Sequence, residues 1–169
     1  MITHGWIAAW ADQYDDAFDD DRIGAIVGKV DPTYRDIEQV YRWKSARAIG
    51  HFQKNAKPLV TRRVRSALAE PDEAVALATL VELHGVKARM ASAILAVFRP
   101  ERYTVMDRRA WESLTRHGLL PDVQSLSWQA AWPTYLAECR RIAGTHRVTL
   151  RELDRALWAA QGEVGLPSS

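Results

Sequence analysis

Helix start and stop signals recur along the whole chain, and they constrain its fold more than any other feature of the sequence. Capping residues such as aspartate and threonine precede stretches with apolar residues at helical spacing, and glycine or proline follows them. Alternating runs of β-branched residues between turn signals, which would predict strands, are missing. The sequence therefore predicts an all-α fold, a compact domain of several helices.

These signals also predict where individual helices begin and end. Asp31 followed by Pro32 predicts the start of a helix that covers residues 34–51. Asp72 predicts the start of another helix, which ends near Leu83 before a glycine. The other predicted helices are a basic helix after Pro58 and helices over residues 88–98, 107–115, 126–142 and 149–161.

The chain contains no internal repeat and no linker longer than a turn between these predicted helices. We therefore predict a single all-α domain over residues 1–169, with a tail over residues 162–169 that frays. The N-terminus has neither a basic region nor a long apolar stretch, and no window of about 18 apolar residues occurs elsewhere. This pattern predicts a cytoplasmic protein without a membrane partner.

The residue pattern gives little support for metal or cofactor chemistry. Cys139 is the only cysteine, which excludes an intramolecular disulfide, a four-cysteine zinc site and a cysteine-ligated iron–sulfur cluster. An acidic run lacks the glycine, the spacing and the closing glutamate of a calcium loop, so we interpret it as solvated surface. The run consists of Asp15, Asp16, Asp19, Asp20 and Asp21. We expect neither a metal nor a cofactor.

Charge is distributed unevenly along the chain, although the net charge is only +2. Residues 1–40 hold nine acidic and three basic residues, whereas residues 41–70 hold one acidic and eight basic residues. A basic segment of this kind is typical of a surface that faces phosphate groups. Its basic residues are Arg42, Lys44, Arg47, Lys54, Lys57, Arg62, Arg63 and Arg65.

The stretch from Leu80 to Lys87, followed by ARMASAILAVFRPERYTVMDRRAWESL, resembles the helix-hairpin-helix of the HhH-GPD superfamily of DNA glycosylases. The resemblance depends on apolar residues in both helices, a hairpin glycine, a small residue where the helices meet, and a following aspartate. These residues are Leu80, Leu83, Gly85, Val86, Ala91, Ile94, Leu95 and Asp107. The resemblance implies that residues 72–116 hold the hairpin and the catalytic segment.

A hairpin of this type has a simple physical basis. A glycine between two helices can adopt positive φ and permits close approach, so that amides at the start of the second helix can donate to a phosphate oxygen. Such a contact binds the DNA backbone and carries no sequence code. Lys87 stands where the motif usually has its second glycine, and it can hold phosphate by charge. The alternative interpretation is an ordinary turn between helices, in which Gly85 ends the first helix.

Asp107 has two compatible interpretations. A carboxylate just before a helix is ordinarily an N-cap that satisfies backbone amides. The resemblance implies a catalytic aspartate, which would stabilise the cationic sugar as the N-glycosidic bond breaks. Arg89 stands where bifunctional members of the superfamily carry a lysine that forms a Schiff base, and arginine cannot act as an amine nucleophile. The resemblance therefore implies a monofunctional member, unless Lys87 replaces that lysine.

A second similarity extends from the segment YRWKSAR through Asn55 and includes LRELDRALWAA near the C-terminus. These segments resemble uncharacterised helix-hairpin-helix proteins with a Trp-Lys-x-x-Arg element. Trp43 can stack on an unpaired base while Lys44 and Arg47 hold phosphates, or it can be a core anchor with the two cations at its rim. The residues expected to contact DNA are Gly85, Val86, Lys87, Arg89, Lys44, Arg47, Arg62, Arg63, Arg65 and Arg108.

Three functions are open at this point. The leading hypothesis is a monomeric, monofunctional DNA glycosylase of the cytoplasm or nucleoid, which releases a damaged or modified base from duplex DNA with the help of Asp107. The first alternative is a non-catalytic helix-hairpin-helix module that binds damaged or branched DNA. The second is a helical protein-interaction domain, whose acidic N-terminal third and basic segment pair with each other or with a partner.

Overall fold

The computed structural model describes residues 1–14, 21–122 and 127–167, and these residues form helices and loops without a strand. The described fold is therefore all-α, as predicted. Its α-helices are α1 (His4–Asp12), α2 (Asp21–Gly24), α3 (Tyr34–Ser45), α4 (Ile49–Phe52), α5 (Lys57–Ala69), α6 (Glu73–Val81), α7 (Ala88–Phe98), α8 (Arg108–Arg116), α9 (Trp128–His146) and α10 (Leu150–Ala160). None of the helices in the described ranges is long and apolar enough to cross a lipid bilayer.

Contacts between helices divide the chain into two compact units. The end unit combines the two chain ends, Met1–Asp15 and Met106–Ser169, and in it α10 packs against α1, α8 and α9. The hairpin unit is Asp16–Val105, and in it α7 packs against α3, α5 and α6. The single domain over residues 1–169 stays a prediction.

Both units contain large side chains that are fully buried. In the hairpin unit they include Ile37, Tyr41, Phe52, Leu77, Leu80, Ile94, Phe98 and Tyr103, and in the end unit they include Ile7, Trp111, Trp132 and Tyr135. Removing a large apolar side chain from water contributes roughly 1.5–3 kcal/mol to stability. The aromatic residues therefore provide much of the driving force that packs these helices.

Predicted capping residues start two of the helices. Asp72 accepts hydrogen bonds from the amides of Ala74 and Val75 at 2.8 and 3.0 Å, which confirms it as the cap of α6. At α10 the amide of Thr149 donates to Glu152 at 2.7 Å, and the amide of Glu152 donates to the Thr149 hydroxyl at 3.1 Å. The predicted capping box is thus present.

The start of α3 corrects one prediction. Thr33, and not Asp31, is the N-cap, and it forms a capping box with Asp36. The Asp36 carboxylate also pairs with Lys29 at 2.7 Å. Asp31 instead pairs with Arg65, with 2.5 Å between their nearest atoms. The Thr-x-x-Asp spacing allows reciprocal bonds with two backbone amides, which a single aspartate before proline cannot make.

The predicted helix over residues 34–51 is wrong as a continuous element. It is interrupted after Ser45, where a 3-10 turn covers Ala46–Ala48 before α4 begins. Ser45 has φ −160° and ψ 67°, which lies outside the helical region. Beyond the interruption, the buried ring of Phe52 stacks on Tyr41 with centroids 4.8 Å apart. Tertiary packing of this aromatic residue therefore outweighs the helical propensity of the segment.

Two further helix boundaries differ from the predictions. The sequence signals assigned no helix to residues 4–12, yet Thr3 caps α1 by accepting a hydrogen bond from the Trp6 amide at 3.1 Å. Helix α9 continues to His146, beyond the predicted end at residue 142, and contains Pro133 in its first two turns. At α1 a good capping residue, Thr3, stands close to the chain terminus, and at α9 apolar packing of Ile142 and Ala143 continues past the predicted end.

The tail after α10 is non-helical through residue 167. Trp10 Nε1 donates a hydrogen bond to the Gly165 carbonyl at 2.8 Å. A Cβ atom on Gly162 would lie 2.6 Å from Nε of Arg116, so this part of the tail packs closely against α8. The fraying of residues 162–169 stays a prediction.

Candidate nucleic-acid interface

The hairpin consists of the end of α6, the turn of residues 82–87 and the start of α7. Gly85 has φ +77°, as expected for a glycine between two helices. The amide of Val86 donates to the Leu83 carbonyl at 3.1 Å, which closes the turn. Six of the residues on which the resemblance depends, Leu80, Leu83, Val86, Ala91, Ile94 and Leu95, are buried. The turn is therefore tight and is anchored in the core on both sides.

The back of the hairpin turn is packed so closely that only glycine fits at position 85. A Cβ atom there would lie 2.9 Å from Cβ of His51 and 3.0 Å from the backbone nitrogen of Phe52. The Tyr41 hydroxyl donates to the Gly85 carbonyl at 2.9 Å. Burial raises the pKa of Tyr41, so its hydroxyl stays protonated and keeps donating. Gly85 thus serves both the turn and the contact with α4.

Asn55 is a second clamp on the hairpin, and sequence reasoning assigned it no role. Its side-chain amide donates to the carbonyls of Phe52 and His84 at 2.7 and 3.0 Å, and its side-chain oxygen accepts from the His84 amide at 2.9 Å. Only an amide side chain combines donor and acceptor in this way. Asn55 is only 7% exposed although its neighbours Lys54 and Ala56 are exposed, and no local signal in the sequence indicates this burial.

Helix α7 begins without a side-chain cap. Lys87 occupies the N-cap position with extended backbone, and its side chain makes no capping hydrogen bond. The side chains of Lys87 and Arg89 are both exposed. Positive helix-dipole potential and two cations therefore meet at the first turn of α7.

The arginines of α5 are exposed to different degrees and have different partners. Arg63 pairs with Glu82, a residue of the hairpin turn, and Arg65 pairs with Asp31. Arg62 is exposed. Exposed ion pairs contribute only about 0–1 kcal/mol, so a phosphate can compete for these arginines. Their role in binding DNA stays a prediction.

The Trp-Lys-x-x-Arg element spans the end of α3 and the 3-10 turn. Trp43 and Lys44 are half-buried, and Arg47 is exposed. Trp43 is thus neither fully enclosed like the core tryptophans nor fully exposed. Both predicted roles, a core anchor and a stacking surface, stay open for this side chain.

Asp107 begins α8 in the end unit, as predicted. Its carboxylate accepts a hydrogen bond from the Ala110 amide at 3.0 Å, and the residue is only 9% exposed. Burial, followed by the nearby Cys139, Asp154 and Asp107 groups, raises the pKa of Tyr135 well above its usual value. The carboxylate therefore lies in a largely buried position close to Tyr135. The N-cap interpretation is confirmed, and the catalytic interpretation stays a prediction.

The residues predicted to contact DNA divide between the two units. The hairpin and the basic segment belong to the hairpin unit, whereas Asp107 and Arg108 belong to the end unit. Arg108 is exposed and donates through Nε to Glu112 at 2.6 Å, one turn further along α8. The structure thus brings the hairpin residues together with the basic α5 in one unit.

Within the described ranges, no three His, Cys, Asp or Glu residues are grouped so that they could hold a metal ion. Four residues of the acidic run, Asp15, Asp16, Asp19 and Asp20, lie outside the described residues. Comparison of the chain with protein-family models, with curated proteins and with solved structures finds no match.

Proposed function

We propose that this protein binds the DNA backbone through the hairpin around Gly85, as the resemblance to the HhH-GPD superfamily implies. The observation that carries the proposal is the combination of a rigid glycine turn with an uncapped helix start beside Lys87 and Arg89. Backbone amides and cations at such a position match the geometry and charge of a phosphate group. The contact is independent of base sequence.

The rigidity of the turn supports this proposal. Tyr41 and Asn55 hold the carbonyls of Gly85 and His84 in place, and α4 packs against the back of the turn. Donors that are fixed before binding lose little entropy when phosphate arrives. The acidic residue nearest in sequence to Lys87 is Glu82, which is already paired with Arg63. Its repulsion of phosphate is therefore reduced.

A salt titration of duplex binding tests the hairpin. Binding of an undamaged duplex, followed by fluorescence anisotropy, should weaken with a log–log slope of about −0.9 per phosphate contact. Replacing Lys87 by glutamine should reduce the magnitude of this slope by about 0.9. Arg141→Gln, in the end unit, removes the same charge from an exposed ion pair with Glu138 and serves as the control. Equal slopes for the two variants would remove Lys87 from the interface.

The proposal also assigns excision of a damaged or modified base to Asp107. As the N-glycosidic bond breaks, the base leaves with the bonding electrons, and the carboxylate stabilises the cationic sugar. Water then adds its hydroxide to the sugar carbon and its proton to the base. The hydrogen bond from Ala110 holds the carboxylate in a fixed position for this role. Low exposure strengthens its electrostatic effect.

A non-catalytic DNA-binding module is the second candidate, and the burial of Asp107 favours it. A residue that is 9% exposed and accepts an amide hydrogen bond at a helix start has an ordinary structural role as a helix cap. Under this candidate the hairpin binds DNA in the same way, and no base is released. The two candidates therefore differ only in chemistry.

Asp107→Asn separates the two candidates after a screen for base release from DNAs with oxidised, deaminated or alkylated bases. Under the catalytic proposal, removing the charge should slow excision by roughly 100-fold, an effect typical of a single electrostatic contribution, without weakening DNA binding. Absence of release by the wild-type protein across the panel would favour the non-catalytic module.

Borohydride trapping tests whether the chemistry is monofunctional. Arg89 stands at the lysine position and cannot form an imine, so reduction on abasic-site DNA should leave no covalent complex. A trapped complex that disappears in Lys87→Ala would make Lys87 the nucleophile and overturn this assignment.

A further inference from the structure

The hairpin unit contains a cavity of about 460 Å³ that the proposed function does not use. Side chains from the start of α3, the segment after α4 and the start of α5 line this cavity. They are Tyr34, Arg35, Glu38, Gln53, Asn55 and Lys57, and we name it the Tyr34 cavity. Asn55 links the cavity to the hairpin, because the same side chain holds the backbone of His84.

An aromatic surface forms part of the Tyr34 cavity. The Tyr34 ring is half-buried and stacks on the fully buried Phe52 ring, with centroids 5.8 Å apart and planes inclined by 16°. The Lys57 ammonium lies 5.3 Å from the centroid of the Tyr34 ring. A cation–π contact at an exposed position is weaker than stacking of a nucleobase on a tyrosine. Lys57 can therefore leave the ring when a planar ligand arrives.

A carboxylate acceptor is fixed in the same cavity. Oε1 of Glu38 accepts from Gln53 Nε2 at 2.8 Å and from the Tyr34 hydroxyl at 3.5 Å, and it pairs with Arg42 at 3.6 Å. In the described part of the chain its second oxygen makes no hydrogen bond. Burial, followed by Glu38, raises the pKa of Tyr34, so the hydroxyl stays a donor. The free oxygen can accept from an amino or imino group of a ligand.

Two cations at the cavity supply the opposite charge. Arg35 and Lys57 are exposed, and neither forms an ion pair with an acid among the residues that the structure describes. Glu38 already pairs with Arg42, so Arg35 and Lys57 give the cavity a net positive charge that attracts an anionic group and repels a bare cation. The best match is a ligand that joins a planar, hydrogen-bond-donating ring to an anionic group.

We propose that the Tyr34 cavity binds a single nucleotide, with its base on the Tyr34 ring, its amino edge at Glu38 and its phosphate between Lys57 and Arg35. The inference deepens the proposed function. It rests on that function when the ligand is an unpaired nucleotide of a DNA strand that the hairpin holds. A free mononucleotide has the same chemistry. The experiment therefore has one arm for each source.

The first arm is calorimetric titration of the protein with deoxyadenosine monophosphate. The wild type should bind, and Tyr34→Leu and Lys57→Gln should each weaken binding by about tenfold, in line with the loss of one stacking or phosphate contact. Tyr34→Phe keeps the ring, and Arg141→Gln is the charge-matched control, so both should bind like the wild type. Inorganic phosphate alone should bind more weakly. Equal affinity for phosphate and nucleotide would overturn recognition of the base.

The second arm compares an intact duplex with a duplex that carries one unpaired adenosine. The wild type should prefer the second duplex by about tenfold, the scale of one stacked base, and Tyr34→Leu should lose this preference while it still binds the intact duplex. If Tyr34→Leu does not fold, Lys57→Gln replaces it, because this exposed substitution should not disturb the core. It should likewise reduce the preference for the duplex with the unpaired base.

The two arms separate failure of the cavity from failure of the hairpin. If the wild type binds neither duplex, the proposed function fails, and binding of the mononucleotide alone decides for or against the cavity. Equal binding of both duplexes without mononucleotide binding overturns the cavity and leaves the proposed function standing. Mononucleotide binding without preference for the unpaired base assigns the cavity to free nucleotides.

Discussion

The starts of α7 and α8 are alike in backbone and opposite in chemistry. Both helices follow a residue in extended conformation, Lys87 before α7 and Asp107 before α8. Lys87 is exposed and caps nothing, whereas Asp107 is largely buried and accepts the amide of Ala110. A helix N-terminus is open to an external anion where the protein supplies no capping group of its own, as at α7.

The same contrast extends to the glycines beside these helices. Gly85 precedes α7 and Gly118 follows α8, with φ values of +77° and +71°. Atoms of three residues surround the Cβ position at Gly85, whereas nothing lies within 4 Å of that position at Gly118. Both turns need a left-handed backbone, but only the hairpin also needs close approach.

The largest expected effect is therefore on stability at Gly85. Gly85→Ala should lower the free energy of unfolding by roughly 3 kcal/mol, because positive φ and overpacking against α4 add together. Gly118→Ala should cost only about 1 kcal/mol, since the strain of positive φ is its only penalty. Urea denaturation of both variants measures the difference. Equal costs would show that the close approach at the hairpin contributes nothing.

The second effect compares the two N-cap positions directly. Asp107→Ala should lower the free energy of unfolding by about 1–2 kcal/mol, because the amide of Ala110 loses its partner in a buried place. Lys87→Ala should change it by less than about 0.5 kcal/mol, since that side chain is exposed and caps nothing. A cost at Lys87 as large as that at Asp107 would contradict the description of α7 as uncapped.

The far end of α8 should respond to pH. His117 packs edge-on against Trp6, with ring centroids 5.0 Å apart. Burial, aided by the N-terminal amino group, lowers the pKa of His117 below 6.5, although the backbone of Glu163 opposes this shift. The unfolded chain then binds the proton more readily, so stability should be constant above pH 6.5 and fall as pH decreases through 6.5 toward the lower folded pKa.

Thermal unfolding between pH 7.5 and 5 measures this effect, with His117→Gln as the comparison. The variant should lose most of the pH dependence in that window. Glu152 does not interfere, because the Thr149 amide lowers the pKa of its carboxyl below 4.5 and its contribution is lost only at more acidic pH. If the unfolding temperature depended on pH equally in the wild type and in His117→Gln, a role for His117 would be refuted.

The smallest expected effect is that of the α5 arginines on DNA binding. Replacing Arg62, Arg63 and Arg65 together by alanine should reduce the magnitude of the log–log slope of binding against salt concentration. The reduction should be about 0.9 for each phosphate contact that is lost. Because Arg63 and Arg65 already pair with acids, fewer than three contacts should disappear. A slope unchanged by the triple substitution would exclude α5 from the interface.

Local signals in the sequence predicted the parts of the fold that depend on neighbouring residues. Asp72, the Thr149 box and the positive φ of Gly85 each follow from residues within four positions. The choice between Asp31 and Thr33 was harder, because both are good caps and the spacing to Asp36 decides between them. Propensity and spacing are therefore sufficient for these helix starts and for the glycine turn after α6.

Contacts between distant residues account for what the sequence did not predict. Asn55 holds the hairpin through His84, which lies 29 positions away. The interruption after Ser45 depends on the packing of Phe52, and the Tyr34 cavity is lined by three separate segments. Nothing in the local pattern of the chain specifies these contacts, because each requires the folded arrangement of several helices.

Amide chemical shifts test the central comparison most directly. Titrating the isotopically labelled protein with a short undamaged duplex at low salt should shift the amides of residues 86–90 at the start of α7, because they face a phosphate. The chemical shifts of the amides of residues 108–110 at the start of α8 should stay unchanged, since the Asp107 carboxylate already caps this helix. Shifts at α8 without shifts at α7 would contradict the account.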